Sequence, residues 1–245
     1  MSARPAKAEL KKRKESAHVE RLAKLLNADW RIQVPSDERI APDFIVTEST
    51  GSFGLEHTQV FKDALDRSAG SQMKSAESRR QSRLTGIGVS VSAAMGFPIK
   101  LLVSSERKYV DEDHFAFDDC SNEQLEAAVL SSNLKSHELN EPPLKIETRG
   151  VTIFASRRLR NEVEFIQDRV GFVGWGEGAL KAAIAAKSAK LPKYRSEGLV
   201  DIRLLVVSDR LFNSGKLNLT HDAVVDRMGF DIVYFLSYPD EVLTF

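Results

Sequence analysis

The run IRLLVV at residues 202–207 limits what this chain can fold into more than any other segment. A continuous apolar run of strand length, as opposed to an alternation of apolar and polar residues, belongs to a strand covered on both faces. A second run, IVYFL at residues 232–236, has the same character. Helices are needed to cover such strands. Val19, Leu22, Ala23 and Leu26 recur at helical spacing within residues 8–27, and Leu125, Ala128 and Val129 share one face of a helix over 121–135. Strands and helices alternate in the second half. The expected class is therefore α/β (or α+β), a mixed central β-sheet flanked by helices.

Short strands are expected at residues 30–34, 99–103, 151–154 and 163–166, with a turn over 35–38. Residues 72–84 are polar and serine-rich, and read as either an exposed helix or a mobile loop. Gly174, Gly176 and Gly178 read as a flexible turn before a helix that begins near Ala179. They lack the lysine–serine ending of a phosphate-binding loop. Trp30 and Trp175 read as core or interface anchors. The expected organisation is a basic N-terminal helix over residues 1–27 and a core domain with insertions over 28–245.

Thirty-five basic residues balance 35 acidic ones in this 245-residue chain, so charge alone does not make it a nucleic-acid coat. The charges are clustered, however. Arg4, Lys7, Lys11, Lys12, Arg13 and Lys14 form one basic segment, and Lys74, Arg79, Arg80 and Arg83 another. Asp111, Glu112, Asp113, Asp118 and Asp119 form an acidic one. Each is either a solvated surface or, for the basic pair, a contact for phosphate. The single cysteine, Cys120, allows neither an internal disulfide nor a thiolate metal site. No apolar run is long enough to span a bilayer, and the polar N-terminus lacks a secretory signal. A cytoplasmic protein without a membrane partner is expected.

The segment PDFIVTESTGSFGLEHTQVF at residues 42–61 reads as a hairpin. An even-length loop pairing Glu48 with Phe53 would set Ile45 opposite Glu56 and Asp43 opposite Thr58. Asp43, Glu56 and Thr58 then share a face, and His57 and Gln59 point the other way. An odd-length loop would split the acids. Two carboxylates on one face repel unless a cation lies between them, and Mg²⁺ takes oxygen ligands of this kind. The alternative is that Asp43 caps a turn after Pro42 and Glu56 is an exposed strand residue.

The residues Pro42-Asp43-Phe44 and Gly54-Leu55-Glu56-His57-Thr58 resemble the core motif of the PD-(D/E)XK nuclease superfamily. The resemblance covers about residues 40–60. It implies a restriction-endonuclease-like fold, with Asp43 and Glu56 binding Mg²⁺ (Mn²⁺ being the alternative ion) and a lysine helping to activate water. The sequence departs from the motif where that lysine belongs, two residues after Glu56: Thr58 stands there. The segment AIAAKSAKLPKYR followed by IRLLVV, within residues 180–207, is similar to a variant in which the lysine has migrated onto a helix.

Lys187 is the migrated candidate. It lies in the middle of an apolar stripe formed by Leu180, Ile184, Leu191 and Tyr194, where an ammonium needs a partner. Lys190 lies at the edge of the stripe. Pro192 argues for a break before Tyr194. The competing reading for Lys187 is a packed stem with its head in water. On the N-terminal helix Glu15 falls on the stripe of Val19, Leu22 and Leu26, either near the metal or paired with a neighbouring lysine, whereas Glu20 faces solvent. His18 and His57 read as polar residues at the surface or behind the ligands. The expectation is Mg²⁺-dependent phosphodiester hydrolysis of nucleic acid, with DNA favoured, by Asp43, Glu56 and Lys187. A lapsed nuclease-fold module binding nucleic acid or protein, and a small-molecule hydrolase, are the rivals.

Overall fold

The structure, a computed structural model, describes residues 3–36 (backbone only through residue 8), 41–62, 71–106, 114–139, 141–166, 174–220 and 222–245. The second half of the expected 35–38 turn, the side chains of Arg4 and Lys7, and Asp111, Glu112 and Asp113 lie outside the described residues. In chain order the elements are α1 (Ala3–Leu25), β1 (Arg31–Gln33), β2 (Phe44–Glu48), β3 (Gly51–Gln59), α2 (Gln72–Met95), β4 (Ile99–Ser105), α3 (Ala116–Asp119) and α4 (Asn122–Leu130). There follow β5 (Leu144–Thr148), β6 (Val151–Arg157), β7 (Glu162–Ile166), β8 (Gly174–Trp175), α5 (Glu177–Ser188), α6 (Leu191–Ser196), β9 (Ile202–Asp209), β10 (Leu217–Asn218), β11 (Ile232–Tyr238) and β12 (Glu241–Thr244). The chain forms two compact units: residues 1–71 with 172–245, and residues 72–171 between them in sequence.

The first unit is a six-stranded sheet in the order β1-β2-β3-β9-β11-β12. The β3–β9 and β9–β11 pairs are parallel and the others antiparallel, so the sheet is mixed. The two apolar runs named at the outset are its adjacent strands β9 and β11. Alternation along β9 sends Leu205 and Val207 to one face, where Val19 and Leu22 of α1 cover them with Phe44, Val46, Phe53 and Leu55. Ile202, Leu204 and Val206 face the opposite layer, where Leu180 and Ile184 of α5 and Leu191 and Tyr194 of α6 pack. Helix α1 stops where Asn27 takes a φ of +53°, a left-handed conformation that asparagine tolerates.

The second unit has a four-stranded sheet in the order β5-β6-β4-β7. Residues 72–84 are helical, and the helix runs on to Met95. Leu84, Ile87, Val91 and Met95 carry its buried face, a spacing hidden among serines and arginines. Strand β5 was not expected. It is one arm of a hairpin with β6, turned at Arg149 and Gly150, whose φ values of +48° and +76° suit a tight two-residue loop. Two residues of the basic cluster expected to hold phosphate are already engaged within the unit. The Arg80 guanidinium binds both oxygens of Asp118, and Arg83 donates to the carbonyls of Phe117 and Cys120. These two arginines are committed to the packing of their own unit.

Two further expectations change. Gly174 and Gly176 are not a flexible turn, because their N–H groups bond the carbonyls of Lys216 and Asn218 at 2.9 and 2.7 Å, fixing β8 beside β10. Trp175 is 72% exposed and so is no core residue, while Trp30 packs edge-on against Phe53. Among the described residues no helix is long and apolar enough to cross a membrane.

Candidate functional site: a carboxylate pair and two lysines at the β3 face

The β2–β3 hairpin is tighter than its sequence suggests. Glu48 pairs with Gly51, Ile45 with Gly54 and Phe44 with Leu55, so the expected Glu48–Phe53 pairing is corrected. The turn consists of Ser49 and Thr50 alone, because Gly51 takes a φ of +144°, outside the comfortable range of residues with a side chain. The register has moved by two residues and not by one. Alternation is therefore preserved, and the face assignment survives the correction. Continued one step beyond β2, the register brings Asp43 opposite Glu56 and not Thr58. A Cβ on Gly54 would lie 2.7 Å from Pro42 Cγ, so this glycine lets Pro42 lie close over β3 and fixes the approach of Asp43. The Asp43 Oδ2 accepts a 2.8 Å hydrogen bond from the backbone N–H of His57.

Glu56 sits beside Leu204 of β9 and faces the α5–α6 layer. Its side chain is fully buried, which removes the exposed-strand alternative. Lys187 Nζ and Lys190 Nζ each lie 2.6 Å from its Oε1, and the Tyr194 hydroxyl donates to its Oε2 at 2.8 Å. Lys187 Nζ is also 3.9 Å from Asp43 Oδ2. The head of Lys187 is thus held between the two acids, with the side chain only 18% exposed. Lys190, expected at the margin, contacts the same oxygen just as closely. Pro192 does end α5 near Ser188, but it falls in the first turn of α6, where proline is tolerated, and the second helix returns Leu191 and Tyr194 to the sheet.

The electrostatics of the two acids differ. Burial would raise the Glu56 carboxyl, but Lys187 and Lys190 outweigh it and hold the group below the usual glutamate range. Asp43 is raised, first by burial and then by the Glu56 charge, despite the bond from His57. Burial raises the Tyr194 hydroxyl, and the Glu56 charge adds to it, so Tyr194 stays a donor.

This chain matches no protein-family model, no curated protein and no solved structure.

On the opposite face of β3 is a feature that the sequence reading missed. His18 of α1 and His57 are both buried, not at the surface, and His18 Nδ1 lies 3.0 Å from His57 Nε2. The rings stack at 5.3 Å, with Tyr238 edge-on to His18 at 5.0 Å. Burial, then the Lys14 charge, lowers His18 to about 4; burial, then His18 and Lys187, lowers His57 to about 3. Both are neutral at physiological pH. The signal was present in the sequence: His57 is two residues after the buried Leu55, and His18 is one turn before Leu22. Glu15 lies 3.7 Å from His57 Nδ1 and 3.5 Å from Lys11, the nearby lysine that was one of the two partners expected for it. Burial raises its carboxyl, with Lys11 opposing. Glu20 is exposed, as expected. Lys14 pairs with the buried Asp209 at 2.8 Å.

Among the described residues no group of three or more His, Cys, Asp or Glu side chains is arranged to hold a metal. A pair of carboxylates is nevertheless the donor set that suits Mg²⁺, which binds through one or two carboxylates and completes its shell with water and substrate phosphate. Asp43 Oδ1 takes no hydrogen bond from the described residues. A carboxylate offers about four lone-pair sites in all, so the three donors on Glu56 do not exhaust it.

Proposed function

We propose that this chain is a cytoplasmic, metal-dependent phosphodiesterase acting on DNA, with a restriction-endonuclease-like PD-(D/E)XK site on its first unit. One observation carries the reading. Lys187, from a helix, meets Asp43 and Glu56 together, where the strand itself offers only Thr58. Asp43 and Glu56 would hold Mg²⁺ or Mn²⁺. The ion would supply an activated water and polarise the scissile phosphate. Lys187 relieves the repulsion between the acids and presents a positive group to charge developing on the phosphate. Tyr194 keeps Glu56 in its rotamer by holding Oε2. The test is nicking of supercoiled plasmid by the full chain with Mg²⁺ or Mn²⁺, against a chelator control. Cleavage that needs the ion and is lost in Asp43→Ala supports the reading, and undiminished cutting by Asp43→Ala overturns it.

A second reading has its own observation. With two ammoniums and a phenol on Glu56, the cluster is electrically satisfied without any ion. A nuclease-fold module that binds nucleic acid or protein without cutting would look the same. Absence of cleavage under every divalent ion, together with retained DNA binding, would favour it.

A further inference from the structure

We propose that Lys190 is an exchangeable counter-ion for Glu56: it occupies the carboxylate when no metal is bound, and a divalent cation displaces it toward solvent while Lys187 stays. The inference rests on the metal-site reading above and concerns how that site is regulated. Lys187 Nζ and Lys190 Nζ share a single oxygen, Glu56 Oε1, each at 2.6 Å. Two ammoniums on one oxygen repel each other, and a buried carboxylate needs only one of them to be neutralised. They are not equivalent. The Lys187 side chain is 18% exposed and also faces Asp43, whereas that of Lys190 is 46% exposed. Lys187 stands on the last turn of α5, on the stripe that packs against the sheet, and Lys190 caps the start of the short α6 beyond the helix break.

A Mg²⁺ ion binds carboxylate oxygen at about 2.0–2.1 Å. An ammonium 2.6 Å from that oxygen would then lie against the ion, like charge on like charge. The ammonium already open to water loses least by leaving. Lys190 swings outward on its flexible stem, and Lys187, which also has Asp43 as a partner, shifts aside but stays in the site beside the ion. The freed ammonium then stands at the solvent side of the site, where a phosphate would approach. The same competition protects the metal-free protein, because a full set of donors keeps the buried carboxylate neutralised until an ion arrives.

The experiment pairs calorimetric titration of the full chain with Mn²⁺ or Mg²⁺ with site-resolved labelling of lysines by an amine-reactive reagent, with and without the ion. The expected result is that metal speeds labelling of Lys190 several-fold and leaves Lys187 unchanged. Lys190→Met should bind the ion about ten-fold more tightly, having lost a competing like charge. If the parent binds metal but the labelling of Lys190 does not change, or Lys190→Met binds no more tightly, the exchange is overturned and the phosphodiesterase reading stands. If Lys190→Met binds metal where the parent does not, the exchange is supported in a stronger form. If neither protein binds metal, the exchange and the metal site on which it rests both fall.

Discussion

Glu56 and Lys187 are 131 residues apart in sequence and 2.6 Å apart in space. Each sits where a charge needs a partner. Glu56 is a fully buried carboxylate on a central strand, and Lys187 is an ammonium on the apolar face of a helix. β3 and β9 are parallel neighbours, and α5 precedes β9 over the face that Glu56 occupies. The layer geometry therefore delivers the lysine to the acid. Lys190 on the same oxygen backs up this pairing, so Glu56 becomes an uncompensated buried charge only if both lysines are lost.

Cleavage should respond to the three residues in different ways. Asp43→Ala and Glu56→Ala are expected to abolish metal-dependent nicking. Lys187→Met keeps the stem and removes the charge, so the rate should fall by about two orders of magnitude, the scale of one positioned electrostatic group. Single-turnover rates on a plasmid would measure this. Rates equal to the parent in Lys187→Met would dismiss the migrated lysine.

Stability of the metal-free protein should separate the two acids. Asp43 is held above its ordinary range by burial and by Glu56, so Asp43→Ala is expected to leave stability unchanged or raise it slightly. Glu56→Ala strands the Lys187 ammonium and the Tyr194 phenol, while Lys190 can turn to water, and should cost about 3 kcal/mol. Urea unfolding in chelator reads both, and an equal response of the two variants would show that their environments do not differ in this way.

The His18–His57 pair should make the fold acid-sensitive. The folded values of about 4 and 3 lie below the ordinary histidine value of 6.5. The unfolded chain therefore takes up protons first as the pH falls. Stability is whole above pH 6.5 and drains away as the pH drops toward 4 for His18 and 3 for His57, by about 2 kcal/mol per ring at pH 5. Denaturation midpoints at pH 7 and pH 5 give the slope. The double variant His18→Gln, His57→Gln lacks both rings and should show a flatter profile; an unchanged slope would place the acid sensitivity elsewhere.

Gly54 should be intolerant of a side chain. In Gly54→Ala the new Cβ meets Pro42 Cγ at 2.7 Å and must push it off β3. The expected cost is about 1–3 kcal/mol, the usual range for overpacking, and Asp43 moves with Pro42. A thermal midpoint and a Mn²⁺ titration should therefore both worsen. A variant that loses stability but keeps its metal affinity would show that Asp43 is positioned by His57 alone.

Much of the layering was legible because it depends on local patterns. The apolar runs of β9 and β11 and the stripe of α1 each dictate their own burial, and the mixed sheet with flanking helices follows from them. The shared face of Asp43 and Glu56 was legible too, since alternation along a strand is a parity rule that a two-residue slip does not disturb. The stripe through Leu180, Ile184 and Lys187 announced a cation in need of a partner. The hairpin register itself was not legible, because Gly51 closes the turn two residues early through a backbone conformation that the residue type permits without requiring.

Where the partners come from was decided by the tertiary structure. Lys190 and Tyr194 reach Glu56 because the chain breaks after α5 and starts again as α6 at Leu191, with Lys190 at its N-cap, Pro192 in its first turn and Leu191 and Tyr194 packed on the sheet. His18 and His57 lie 39 residues apart, and each looks polar by itself; packing α1 across β3 makes them a buried pair. Arg80 and Arg83 read as free positive charge until Asp118 and the carbonyls beyond it take them up. Sequence periodicity fixes which face a side chain occupies. The identity of its neighbour across the core depends on how the layers are stacked, and that is a property of the whole unit and of no single segment.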